Sequence, residues 1–458
     1  MTEKVIKLMK DSTVLRWTAL ILLSLMMFFA YMFVDVLSPL KSLLETSHGW
    51  SSVTYGTFSG SEYFLNVFVF FLIFAGIILD KMGIRFTAIL SGIVMVVGAS
   101  IKYYAISDAF IGTALANWLG SWWTAFPATA KLASLGFMIF GCGVEMAGIT
   151  VSKAIVKWFN GKELALAMGI EMAIARLGVF AIFRMSPRIA ERFDSVSTPV
   201  LFCLILLLVG LISFIVYSLM DKKLDKQIGE SGIEPEDPFK ISDIGKLFTS
   251  RTFLIVAGLC VLYYSAIFPF QKFAANMLES RLQITSTAAS DIFSWFPIGA
   301  MILTPLLGAF LDNKGKGATM LIIGAILMCC CHLVFALVPA EAFSKPIAYS
   351  AIIVLGVSFS LVPAALWPSV PKLVENRYLG SAYSVIFWIQ NIGLMCFPML
   401  IGWSLDKSNP GVTDPLQYNY TIPMLIFASL GVFAFLLGLW LKAEDRKKGY
   451  GLELPNKK

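Results

Sequence analysis

Twelve runs of about twenty apolar residues follow one another along the chain, at approximately 14–37, 54–79, 86–106, 131–156, 164–185, 197–219, 251–275, 288–311, 318–339, 347–372, 381–404 and 420–441. A helix of that length crosses the ~30 Å hydrocarbon layer of a bilayer. Only helices and closed barrels satisfy their own backbone there, and continuous runs of this length read as helices. The expected fold is an all-α membrane protein with twelve transmembrane helices. Composition agrees: 58% of residues are apolar and 14% charged, whereas soluble domains carry about 25% charged residues. The first run has no small-residue cleavage pattern before Pro39, so it is expected to be retained as a span.

Charge placement gives an orientation. Lys4, Lys7 and Lys10 precede the first run and Arg16 lies at its very start, Lys222, Lys223 and Lys226 follow the sixth, and Arg446, Lys447 and Lys448 follow the last. The positive-inside rule then puts both termini in the cytoplasm. The net charge of +7 is spread over short loops, so it reports topology and not a nucleic-acid partner. All seven cysteines fall in apolar runs, which argues for packing roles and against disulfides or a metal site. The longest polar stretch, 220–250, is charged and contains Glu234-Pro-Glu-Asp-Pro238. Read as a linker, it divides the chain into a first six-helix half, 1–219, and a second, 251–458.

An internal repeat supports the division. Gly76, Asp80 and Gly83 end the second run, with Arg85 two residues on, and Gly308, Asp312 and Gly315 end the eighth at the same spacing, with Lys316 directly after. A partial third copy, Gly402, Asp406 and Lys407, ends the eleventh. The first glycine of each copy should permit close helix approach, the aspartate can cap a helix, and the basic residue can meet a helix C-terminus or a lipid phosphate. These loops are expected to latch the halves together and to serve gating. This pattern is the signature loop of the major facilitator superfamily, which the chain resembles over its whole length. The resemblance implies a transporter whose site lies between the halves near the midplane and opens to each side in turn.

Charges deep in apolar runs are the first candidates for that site. Glu145 lies roughly 18 Å back from Lys157, and Arg176 roughly 20 Å beyond Glu163, so both reach one depth. They could form a salt bridge that loosens when substrate enters. They could grip the two ends of a zwitterion, Glu145 taking an ammonium and Arg176 a carboxylate. They could also be a permanent packing bridge. Glu171 sits on another helix face, nearer the cytoplasm; Asp35, Glu62, Lys153 and Arg184 lie toward span ends, where a surface role competes with a site role. Lys272 could attract an anion or form a gate pair, and His332 reads as a packed histidine. In the second half, Tyr264 and Trp367 offer aromatic faces, and Gln390 and Asn391 offer hydrogen bonds to a peptide group. Aligning Arg176-Leu-Gly178 with Asn391-Ile-Gly393 by the repeat puts a neutral amide where the first half has its cation. No nucleophile elbow, metal-ligand spacing or phosphate-cradling loop is present in the sequence, so no enzyme is expected.

Several segments together resemble a narrower family, the lysosomal dipeptide transporters of the superfamily and their bacterial relatives. They are Gly143-Val-Glu145, Trp158-Phe159-x-Gly161-Lys-Glu-Leu164, Ala175-Arg176-x-Gly178, Tyr263-Tyr264 with Phe268-Pro-Phe270, Ala365-Leu-Trp367-Pro, and Leu379-Gly-x-Ala-Tyr383 leading to Ile389-Gln-Asn391-x-Gly393-Leu394. The resemblance implies a dipeptide carrier in which Glu145 holds the amino group and Arg176 supports the carboxylate. It also implies facilitated diffusion, so a uniporter is expected, with a proton-coupled symporter of peptides or another small anion or zwitterion carrier as the alternative. A receptor with the transporter fold is a third reading. Lys272, just after Phe-Pro-Phe, departs from the less polar stretch expected there. A short N-terminus without a lysosomal sorting signal favours a bacterial inner (plasma) membrane over a lysosomal one. The expected partners are a dipeptide and the bilayer, with the chain acting as a monomer; no cofactor, metal, nucleic acid or accessory subunit is called for.

Overall fold

A computed structural model describes residues 8–159, 162–228, 247–374 and 379–455. The central part of the expected linker, 229–246, and Gly161 of the polar turn lie outside the described residues. Among those described, helices account for all regular structure. The first bundle comprises α1 (Thr13–Asp35), α2 (Lys41–His48), α3 (Ser52–Ser61), α4 (Phe64–Phe68), α5 (Phe71–Ile106), α6 (Ala114–Gly120), α7 (Ala128–Phe159), α8 (Leu164–Phe193) and α9 (Ser197–Ile228). The second comprises α10 (Arg251–Leu282), α11 (Ser286–Phe293), α12 (Trp295–Lys314), α13 (Gly317–Leu337), α14 (Lys345–Leu373), α15 (Leu379–Ser408) and α16 (Thr421–Lys448).

Eleven helical stretches among the described residues are long and apolar enough to span a bilayer. The twelfth crossing, second in chain order, is assembled from pieces: α3, α4 and the start of α5. Tyr63 separates the first two pieces, and Phe70, in the left-handed region at φ 54°, separates the second from the third. Ser61 Oγ donates to the Phe58 carbonyl at 2.6 Å, and Trp388 Nε1, from α15, donates to the Val67 carbonyl at 3.0 Å. These donors stand in for helical N–H groups lost at the breaks, as backbone inside a membrane requires. The first break falls at the polar stretch Ser59-Gly-Ser-Glu-Tyr63, whereas the second, at Phe70, lies in a wholly apolar stretch where periodicity gives no sign of it.

Both chain ends lie on one face. The Met9 N–H donates to Gln227 Oε1 at 2.8 Å, Arg16 pairs with Glu163 at 3.0 Å, and Lys372 Nζ donates to the Gly451 carbonyl at 3.0 Å. We call this the terminal face and its opposite the distal face. Outward stripes such as Ile205, Ile212 and Leu219 on α9 are exposed and fit acyl chains. Within the first bundle α5 packs on α7, and α1 on α8 and α9; within the second, α13 packs on α16 and α12 on α14. The bundles meet where α3 lies against α15 and α8 against α12.

The repeated loops make contacts within their own bundles. Asp80 pairs with Lys153 at 2.6 Å, and Arg85 reaches Asp221 at 3.9 Å and Asp225 at 3.5 Å, all within the first bundle. In the second copy, the N–H groups of Lys316 and Gly317 donate to the Glu453 and Leu452 carbonyls, each at 3.0 Å. Through these contacts both loops brace their own bundle. A side chain at Gly76 or Gly308 would meet nothing within 4 Å, so close helix approach is not what these glycines serve here. The second glycine of each copy carries the constraint, since Gly83 and Gly315 sit at φ 78° and 72°, where a Cβ is strained.

The inter-bundle latch uses the partial copy. The Asp406 carboxylate accepts the N–H groups of Ser52 at 3.0 Å and Val53 at 2.9 Å, capping α3 across the interface. Gly402, in the same turn, and Gly56 and Gly60 on α3 place backbone directly on backbone along this seam, where a Cβ would collide with carbonyls of the facing helix.

Candidate functional site

The polar contacts joining the bundles gather toward the distal face. Asp35, at 1% exposure, pairs with Lys272 at 2.9 Å and accepts from Gln271 Nε2 at 2.5 Å. Lys41 bridges Glu45 at 2.6 Å and Asn276 Oδ1 at 3.0 Å, and Ser42 donates to Glu279. Arg188 makes a forked pair with Asp291 at 2.7 and 3.0 Å. Together these close the distal side. Lys272 and Asp35, whose roles the sequence left open, thus form a buried ion pair across the bundle interface.

Proximal to this seal, the two deep charges leave the first bundle and face the second. Arg176 lies on α8, roughly 18 Å from the start of the helix, and Glu145 on α7, roughly 21 Å from its end. Arg176 Cζ sits over three rings: Phe268 at 5.3 Å, Phe359 at 5.4 Å and Tyr31 at 5.8 Å. Two of these rings belong to the second bundle. Among the described residues no carboxylate lies within ion-pairing distance of the guanidinium, so the permanent bridge to Glu145 is absent in this conformation. Rings stabilise a cation but accept none of its five N–H bonds, which stay available to an anion. Glu145 is half-buried, and the polar side chain it meets is the Asn391 amide of α15.

The second bundle presents an aromatic wall. Trp367 Nε1 donates to the Tyr264 hydroxyl at 3.2 Å, the Tyr264 ring stacks on Phe268 at 5.5 Å, and Trp367 stacks on Phe387 at 4.9 Å. Phe268 and Phe359 extend this wall to Arg176, so Tyr264 and Trp367 join the guanidinium through shared rings. Tyr263 points elsewhere, donating to the Leu321 carbonyl. Gln390 also turns away from Glu145: its oxygen accepts from Cys260 Sγ on α10 at 3.2 Å. Gly178 packs against the backbone of Phe28 on α1, and Gly393 against the side chain of Ser265 on α10.

Of the other charges singled out, Glu171 is half-buried on the terminal side of Arg176, and His332 is fully buried among Phe270, Phe335 and Phe427. Arg184 reaches Ser294 at 3.3 Å at the distal end of α8. Glu62 is 4% exposed and its Oε2 has no partner. Sequence reasoning missed Lys102, fully buried with Nζ over Phe137 at 4.0 Å, Phe33 at 4.4 Å and Phe58 at 5.2 Å. It also missed Asn66, 2% exposed with neither amide atom bonded. Lys102 lies in an apolar run and a depth count would have flagged it; Asn66 is neutral and only the break beside it singles it out.

Two bundles of membrane-spanning helices, joined at one face and enclosing polar and aromatic side chains at their interface, define a multi-pass membrane transporter and not an enzyme. Two stretches, 23–279 and 273–454, match the family model described as Major Facilitator Superfamily. The chain belongs to the major facilitator superfamily. It is 30% identical over 351 residues to the lysosomal dipeptide transporter MFSD1 of Danio rerio, covering 74% of this chain and 70% of that one. Identity to MFSD1 of Homo sapiens is 26% over 285 residues, and the chain spans about 60% of that relative's length. Among solved structures, the nucleoside transporter NupG superposes with a TM-score of 0.67 at 14% identity, over 93% of this chain and 99% of the other. A bacterial homolog to the human lysosomal transporter Spinster, inward-facing and unoccupied, gives 0.69 at 13% identity, over 95% and 98%. At such identities these structures speak for the fold alone.

Proposed function

We infer that this transporter carries dipeptides by alternating access, with Glu145 taking the substrate ammonium and Arg176 its carboxylate. One observation carries the reading: two opposite charges at matched depth both face the other bundle, and among the described residues neither has an ion-pair partner. A zwitterion supplies both missing partners at once. Asn391 stands ready to bond the peptide group near the amine, and Tyr264 and Trp367 form an aromatic side of the site. Gln390 supports this arrangement from behind, through α10. The similarity to dipeptide transporters adds support from a separate direction.

In this account the halves 1–219 and 251–458 rock about the site, linked through 220–250. The Asp35–Lys272 pair and the Asp406 cap hold the distal side shut, and the loops at Gly76, Asp80, Gly83 and Arg85 and at Asp312, Gly315 and Lys316 keep each half rigid while it moves. The terminal face is cytoplasmic, and the chain works as a monomer in a bacterial inner membrane. Transport is uniport, driven by the dipeptide gradient. A second reading, proton-coupled symport, draws on Glu62, a buried carboxyl with an unpartnered oxygen. Liposomes loaded with a pH-sensitive dye separate the two: uniport predicts dipeptide entry without acidification of the lumen, and symport predicts acidification in step with uptake. Absence of any dipeptide uptake would overturn both.

A further inference from the structure

A cavity of about 260 Å³ lies between α5, α15 and Phe248, at the breaks of the second crossing. Its walls are apolar, formed by Phe70, Ile73, Val385 and Trp388, with the Phe70 and Trp388 rings stacked at 5.3 Å. Its polar lining residues are Ser384 and two amides, Asn66 and Asn391. Asn66 is 2% exposed with both amide atoms unbonded, and Asn391 is the residue that meets Glu145. A buried amide left unpaired is costly. Phe70 moreover sits at φ 54°, a conformation that a bulky residue adopts only under constraint, and there its ring faces Trp388.

The occupant must therefore bring an apolar group for the walls and an amide-bonding group for the entrance. An acyl chain supplies the first and not the second. We propose that this cavity receives the apolar side chain of the substrate's N-terminal residue, with Asn66 and Asn391 bonding the adjoining peptide group. The inference rests on the dipeptide reading above and deepens it. Because Asn391 is shared with Glu145, the side chain beside the amine, and not the one beside the carboxylate, reaches the cavity. The substrate class is dipeptides whose first residue is bulky and apolar.

The test is competition against uptake of labelled Ala-Ala by protein in liposomes, using unlabelled Leu-Gly, Gly-Leu and Gly-Gly. Burial of one isobutyl group predicts that Leu-Gly competes at a concentration about tenfold or more below the other two. Ile73→Trp and Val385→Trp, which fill the cavity from opposite walls, should each bring that ratio to within about twofold. Ile73 is half-buried, so its variant reads the ratio even if the Val385 variant does not fold. Equal competition by all three dipeptides, an advantage for Gly-Leu, or a ratio unchanged in the variants overturns the inference while leaving dipeptide transport standing. A lipid that co-purifies with the wild type and is lost in the variants, with the ratio unchanged, would give the cavity to an acyl chain and overturns it also. If Ala-Ala itself is not taken up, the underlying function fails and the cavity assignment with it.

Discussion

At the scale of single residues, a charge in the membrane needs either a partner or a use, and the structure separates the two cases. Lys272 has Asp35, whereas among the described residues Arg176 faces rings and Glu145 an amide, with no ion pair at either. Removing a group that pairs with nothing protein-borne should harm transport and spare folding. Arg176→Ala and Glu145→Ala are each expected to weaken dipeptide competition by about 100-fold or more. Their thermal midpoints in detergent should stay within about 3 °C of wild type. Normal uptake by either variant would remove it from the site. The gate pair should behave in the opposite way. Lys272→Ala leaves a buried carboxylate without its cation, held by Gln271 and Ser38 alone, and should destabilise the fold, and Asp35→Asn in the same chain should recover part of the loss. A double-mutant cycle from thermal unfolding is expected to show coupling of about 1 kcal/mol or more. Glu145 and Arg176 were legible in the sequence because depth follows from counting residues along a helix. The role of Asp35 was not, because its partner lies more than two hundred residues away and only folding brings them together.

At the scale of elements, the second crossing and the repeated loops are where sequence and structure part. The run 54–79 reads as one helix, yet Tyr63 and Phe70 interrupt it; the lost helical bonds are replaced by a side chain on a helix over three hundred residues later. Nothing local announces that rescue. In the loops, glycine was read as a contact residue, and the backbone angles reassign it to the turn. The two roles predict different outcomes. Gly83→Ala should cost about 1–2 kcal/mol for its left-handed angle. Gly76→Ala, in a helix and facing open space, should be neutral or stabilising by up to about 1 kcal/mol. Thermal unfolding of the two variants side by side decides the matter, and an equal loss in both would restore the contact role. At the terminal face, Lys162 beside Asp11 holds that carboxyl below its usual range. Glu163 is likewise held low, by its own backbone N–H and by Arg16. Such ties contribute fully above the ordinary carboxylate pKa and are lost as the pH falls through the lowered values. The protection of residues 8–16, measured as hydrogen exchange relative to the intrinsic rate at each pH, is therefore expected to fall on acidification through and below the ordinary carboxylate range, and unchanged protection would argue that these ties do not order the segment.

At the scale of the whole molecule, the fold was the most legible part, since apolar run length and loop charge are set by the bilayer and not by the chain's own packing. The conformation was not legible. Two bundles sealed by Asp35–Lys272, Lys41–Glu45–Asn276 and the Asp406 cap are closed at the distal side, and no sequence pattern distinguishes this state from its opposite. The claim that organises everything else is that one site reads both ends of a zwitterion. Competition for uptake in liposomes by one dipeptide in three forms, free, N-acetylated and C-amidated, tests it most directly. The account predicts that the free form competes and that blocking either end weakens competition by about 100-fold, because each end loses a charge-assisted contact. Equal competition by the free and blocked forms would contradict it.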